Sequence, residues 1–266
     1  MSAETEGDTS GTWRNQKFVL WTDVFVPLKA LVYTIVLIAL GYALILPMLA
    51  RQGMSPPQIR LEMTNLMRTP LGIHAVTAFS DLVMVFFVWR IARRVADSSL
   101  VARYRAVRGV TIVIAAIGGV ALSIATLHLT AQLQKNGIVE FHPRPNERIF
   151  VPGPWAQYPV IVVTIGLIAP FLEEFYFRGV LLSWLARKIT IVPAALVSAA
   201  LFGLVHLRFV GHPGGEGWVF TGIIALVGLI NAAIAIRTRS LWPAFALHAA
   251  YNLTLVSLAL VAVAVR

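Results

Sequence analysis

Residues 160–186 read VIVVTIGLIAPFLEEFYFRGVLLSWLA, an apolar run whose only ionised side chains are Glu173, Glu174 and Arg178. At about 1.5 Å of rise per residue, a helix of this length crosses the roughly 30 Å of hydrocarbon in a bilayer. Six more segments of the same kind flank it. Spans are expected near Val24–Leu49, Leu71–Ile91, Val107–Leu133, Trp155–Leu185, Ile191–Phe209, Trp218–Ile236 and Leu241–Val265. Composition agrees, with 58% apolar and 13% charged residues, where a soluble domain carries about a quarter charged. The expected fold class is therefore all-α, a polytopic membrane helix bundle of about seven transmembrane helices.

The chain has no cysteine, which excludes disulfides, thiolate metal sites and a cysteine nucleophile. Its net charge of +10 would point to nucleic acid in a soluble protein. Here the basic residues lie between apolar spans, where they set orientation, and no nucleic-acid partner is expected. Residues 1–23 contain Glu4, Glu6, Asp8 and Asp23, unlike the short basic start of a secretory signal, so a cleaved leader is not expected. Trp13, Phe18 and Trp21 read as an interfacial belt ahead of the first span.

Alternate connections carry twelve basic residues on one side: Arg14, Lys17, Arg90, Arg93, Arg94, Arg103, Arg105, Arg108, Arg187, Lys188, Arg237 and Arg239. The other side carries eight, from Arg51 to Arg266. The richer side is expected to be cytoplasmic, which places the N-terminus inside. Arginine outnumbers lysine eighteen to four, a bias of GC-rich bacterial genomes, so the expected location is a bacterial cytoplasmic membrane. The longest connection, 134–154, holds four prolines and no apolar period, and is expected to be irregular.

An ionisable group at the centre of a lipid-facing helix costs roughly 3 kcal/mol on insertion scales, so Glu173, Glu174 and Arg178 must face protein or water. Glu174 and Arg178 stand at i and i+4 with the acid first, the favoured orientation for a helical ion pair. Glu173 has no partner close in sequence, and a spare carboxylate in a dry site is a natural general base. Two more polar motifs follow: Phe202-Gly-Leu-Val-His206, and His248-Ala-Ala-Tyr-Asn252, whose His and Asn share one helix face. Counted from the inner boundary, Glu173 lies about 21 Å deep, His206 about 23 Å, Asn252 about 16 Å and His248 about 10 Å. Polar groups on separate spans at matched depth form a site by default.

Glu-Glu-x-x-x-Arg, Phe-x-x-x-His and His-x-x-x-Asn, in that order, resemble the CAAX-protease and bacteriocin-processing family over about Val160 to Leu258. Its best-known members cleave the C-terminal tripeptide of prenylated CaaX proteins, and bacterial members include bacteriocin-processing and immunity proteins. The resemblance implies an intramembrane endopeptidase acting on a membrane-associated peptide or protein, with 154–266 as its catalytic bundle behind the spans of 24–153. Glu173 and His206 would activate a water, and His248 and Asn252 would donate hydrogen bonds to the oxyanion. Arg178 would hold Glu174, which braces the site, and Phe202 would pack. Members are also described as metalloproteases, but His-Glu-x-x-His is missing and no catalytic metal is expected. If zinc or another divalent cation did bind, its ligands would be Glu173, His206 and His248.

His74 and His128 read as structural. Asp81 reads as an interhelical contact, with a proton path as the alternative, and Asn231 as an interhelical hydrogen bond. His212-Pro-Gly-Gly-Glu216 reads as a turn, and Gly118-Gly119 as a site of close helix packing. Two rival functions remain: a proton-coupled transporter, against which the lack of internal repeats counts, and a catalytically silent scaffold or immunity protein.

Overall fold

The computed structural model describes residues 19–51, 53–68, 70–95, 100–139, 158–207 and 215–264. They form a helical bundle, α1 (Val26–Arg51), α2 (Pro56–Arg68), α3 (Pro70–Arg94), α4 (Gly109–Lys135), α5 (158–186), α6 (Ile191–Leu207), α7 (Gly215–Thr238) and α8 (Leu241–Ala264). Among the described residues there is no strand, only an isolated bridge between Arg103 and Ser240. Each expected span corresponds to a helix within a few residues, Trp155, Phe209 and Val265 lying outside the described residues, as does most of the connection 134–154. Gly109–Lys135, Pro159–Ala186 and Glu216–Thr238 are long and apolar enough to cross a membrane, and Val26–Gly41 and Ile191–Leu207 are shorter apolar stretches.

Two details depart from the sequence reading. The connection after the first span contains α2, whose Arg60, Glu62 and Arg68 disguise it as a loop. Pro56 opens it at a position that needs no N–H, and Ile59 buries its apolar side. Of the expected turn at 212–216, His212, Pro213 and Gly214 lie outside the described residues, while Gly215 and Glu216 begin α7.

Helix α5 is the axis of the bundle. Half of its apolar stretch (50%) is buried, against 22% for α4, whose Val113, Ile114 and Ile117 face outward. Its backbone alternates between α-helix and wider π-helix: π stretches at Thr164–Ile168 and Phe175–Leu181 flank the α-helical Ala169–Glu174. The first widening has a cause in the sequence. The Ala169 N–H bonds the Thr164 carbonyl, five residues back, and the next bond in that pattern would need an N–H at residue 170. Pro170 has none, so the Ile165 carbonyl loses its helical donor.

Helix α8 packs along α4 and α5, and α7 along α6. A Cβ on Gly119 would collide with the Leu247 carbonyl, so α4 lies against α8 only because residue 119 is glycine. Gly118 makes only ordinary contact with Leu247. The connection before α4 does not hang outside the bundle. Val101 N–H donates to Ser183 Oγ (2.7 Å), the Ala102 carbonyl lies against Gly179, and Leu241 N–H donates to the Arg103 carbonyl (2.8 Å). Leu241 also packs on Gly179, so α8 starts about 10 Å of helix rise above the end of α5.

Arg178 joins α5 to α7. Fully buried, it donates from one guanidinium nitrogen to Glu174 (3.1 Å) and from another to the Gly228 carbonyl (2.9 Å). Its charge sits 4.4 Å from the centre of the Phe202 ring, a cation–π contact. A Cβ on Gly228 would press on both Phe202 and Arg178, which is why the guanidinium can reach that carbonyl.

Breaking a buried pair by removing one partner costs about 3–5 kcal/mol. Arg178→Ala is therefore expected to lower the melting temperature of the purified protein sharply. Arg178→Lys should rescue it poorly, because a point-like ammonium cannot serve both Glu174 and Gly228. For the orientation, single cysteines at the exposed Ala106 and Asn136, on either side of α4, can be labelled without background. Ala106→Cys should react with an impermeant thiol reagent only from the cytoplasm and Asn136→Cys only from outside. Reaction of both from one side would break the span assignment.

Candidate active site

Glu173 and Glu174 are consecutive on a helix, so their side chains leave it about 100° apart. That angle separates their environments. Glu174 is sealed, with 0% side-chain exposure, whereas Glu173 is 29% exposed.

A single oxygen of Glu174, Oε1, accepts three hydrogen bonds: from Arg178 at 3.1 Å, from Asn231 Nδ2 on α7 at 3.0 Å and from His248 Nδ1 on α8 at 2.8 Å. Asn231, expected to make an interhelical hydrogen bond, makes it here, to the residue at the centre of the network. An ionised carboxylate can only accept, so the His248 proton sits on Nδ1. On α6, His206 Nδ1 lies 2.7 Å from the Phe202 carbonyl, which likewise can only accept. Both imidazoles are thereby turned so that Nε2 faces Glu173. His206 Nε2 is 3.9 Å from Glu173 Oε1, and His248 Nε2 is 3.7 Å from Glu173 Oε2. These separations exceed a direct hydrogen bond. The two histidines thus bracket the carboxylate with matched nitrogen atoms, one per oxygen.

Phe202 forms the wall behind this arrangement. Its ring centre lies 4.6 Å from that of His206 and 5.6 Å from that of His248, and the ring also meets Phe177 edge-on and the Arg178 guanidinium. It packs, as the sequence reading has it.

Asn252, one turn beyond His248, donates from Nδ2 to the Ile165 carbonyl at 3.0 Å, the group that Pro170 leaves without a helical donor. The sequence reading puts His248 about half as deep as Glu173. Its 2.8 Å contact with Glu174 corrects that, because α8 begins well inside the bundle rather than level with the end of α5.

The remaining polar residues divide. Asp81 is on α3, which packs against α5. Its Oδ2 is buried without a hydrogen-bond partner among the described residues. His128 is exposed on α4, and the side chain of His74 lies outside the described residues. Among the described residues no three His, Asp or Glu side chains are grouped as a metal site.

Comparison with known proteins bears on the same region. Residues 155–254 match the protein-family model described as "Type II CAAX prenyl endopeptidase Rce1-like". No curated protein and no solved structure matches the chain. The match runs from the start of α5 to Thr254 on α8 and contains Glu173, Glu174, Arg178, His206, Asn231, His248 and Asn252. Over residues 155–254 this integral membrane protein is thus similar to the type II CAAX prenyl endopeptidase family, in the stretch that holds the whole polar cluster.

Proposed function

We propose that the chain is a membrane endopeptidase in which Glu173 and His206 activate a water against a peptide bond of a membrane-associated substrate. The observation that carries this reading is the pair of Nε2 atoms facing the two oxygens of the partly buried Glu173, each ring locked from behind through Nδ1. Such rear anchoring fixes tautomer and orientation, as general acid–base work requires. The family match over 155–254 supports the reaction class, and the prenyl endopeptidase family it names makes prenylated CAAX chain ends the first substrates to test.

In this mechanism the water lies against Glu173 and the lone pair of His206 Nε2. Glu173 takes its proton while the water oxygen attacks the scissile carbonyl carbon. The resulting oxyanion accepts from Asn252, which has a second Nδ2 hydrogen beyond the one on Ile165. It also accepts from His248 Nε2 when that ring carries both protons and keeps Nδ1–H on Glu174. Glu173 then passes its proton to the departing amine as the C–N bond breaks, which restores the carboxylate. Burial among Phe202, α5 and α8 raises the worth of each donor, about 3 kcal/mol for one oxyanion contact in soluble proteases. No metal enters this scheme.

With a farnesylated CAAX peptide as probe, Glu173→Gln and His206→Ala should lower cleavage by about two to four orders of magnitude. Their melting temperatures should stay near wild type. Asn252→Ala should lose about two to three orders, and should also melt earlier, because the Ile165 carbonyl loses its donor. Wild-type rates from folded Glu173→Gln protein would sink the reading. A transporter or scaffold would release no new peptide termini at all.

Cleavage should also survive strong chelation, in protein without stoichiometric metal. Loss on chelation with recovery on added zinc would instead make Glu173, His206 and His248 its ligands.

A further inference from the structure

Tyr104 lies outside the segment that matches the family, in the connection between α3 and α4, yet it reaches the turn of α5 that carries the two glutamates. Its hydroxyl donates to the Phe171 carbonyl at 2.7 Å. Its ring stacks on Phe171 with centroids 4.3 Å apart and planes 9° from parallel, and meets Trp242 of α8 edge-on at 4.8 Å. The charges of Glu174 and Arg178 are both felt at its phenol.

The acceptor is informative. In an unbroken α-helix the Phe171 carbonyl would be held by the Phe175 N–H alone. Here that N–H is shared between Phe171 and Leu172, at the point where α5 passes from α-helix into its second π stretch. A carbonyl has two lone pairs, and Tyr104 occupies the one that the shared Phe175 N–H leaves open. The donor is itself held rigidly. Val101 is fixed to Ser183, Arg103 to Leu241, and the Arg105 carbonyl accepts from Ser240 Oγ at 2.7 Å. The segment therefore presents Tyr104 from a backbone clamped to both α5 and α8.

We propose that Tyr104 is a positioning residue for the reaction: it fixes the turn of α5 on which Glu173 and Glu174 diverge, and so the approach of Glu173 to the two histidines. The assignment rests on the endopeptidase reading. It adds to that reading a requirement for the helices that precede the family segment, since residues 155–254 alone would lack the phenol.

The test compares wild type, Tyr104→Phe and Tyr104→Leu as full-length proteins in liposomes. Tyr104→Phe keeps the stack and removes only the hydroxyl. With the farnesylated CAAX peptide it should lower kcat about tenfold, the factor expected for about 1.4 kcal/mol of lost transition-state stabilisation, with KM and melting temperature near wild type. Amide hydrogen exchange in 169–181 should speed up, and exchange in α6 should not. Tyr104→Leu should lose more kcat and also melt earlier. Unchanged exchange in Tyr104→Phe, or faster exchange with unchanged kcat, overturns the assignment. A fall in melting temperature with kcat intact would reduce Tyr104 to a packing residue and overturns it too. If wild type leaves the probe uncut, the endopeptidase reading fails on this substrate class, and the exchange comparison alone decides whether Tyr104 sets the turn.

Discussion

Everything at the centre of this bundle is arranged around the charge of Glu174. A carboxylate in an apolar interior has no water to turn to, and leaving it unpaired is costly enough to be selected against on stability alone. The chain answers with a guanidinium from the same helix, an amide from α7 and an imidazole from α8, all on one oxygen. Three helices cannot meet that oxygen unless their depths and rotations are fixed together. The requirement is electrostatic, and its consequence is geometric: His248 is held by Nδ1 and presents Nε2 to the neighbouring Glu173. The sealed carboxylate is thus the device that aims His248 at the accessible one.

Departures from ideal helix geometry serve the same end. Pro170 denies α5 one N–H, the turn before it widens, and the carbonyl it orphans is taken by Asn252. In this way a local backbone defect becomes a cross-link between α5 and α8. π-helical turns are frequent at functional sites because they redirect a few side chains without ending the helix. Here they bracket the six residues Ala169–Glu174 on both sides. Small residues do the complementary work, Gly119 admitting α8 against α4 and Gly228 admitting Arg178 to its carbonyl.

Much of this was legible beforehand, for a simple reason. Transmembrane helices announce themselves by long apolar runs, and ionised residues within such runs stand out because lipid cannot solvate them. Hence the spans, the Glu174–Arg178 pair and the candidate set Glu173, His206, His248 and Asn252 could be read off by position. Helix α2 could not, because a half-polar surface helix has the composition of a loop. Asn231 was visible only as a polar residue in a span. Nothing local marks it as a partner of a carboxylate 57 positions away. Tyr104 carried no signal at all, since a tyrosine between arginines in a connection resembles an interfacial anchor.

The sequence by itself therefore determined the medium, the apolar helices and the inventory of polar groups, all of which follow from solvation and from the 3.6-residue period. Only the tertiary structure decided which nitrogen of each histidine faces Glu173, because that choice depends on the acceptor standing behind the ring: a carbonyl of Phe202 in one case, Glu174 in the other. It alone decided depth as well. Rise per residue places His248 correctly along α8, but not α8 along α5. That offset is set by residues 101–104 and Leu241 packing against Gly179, a contact between segments more than sixty residues apart on either side.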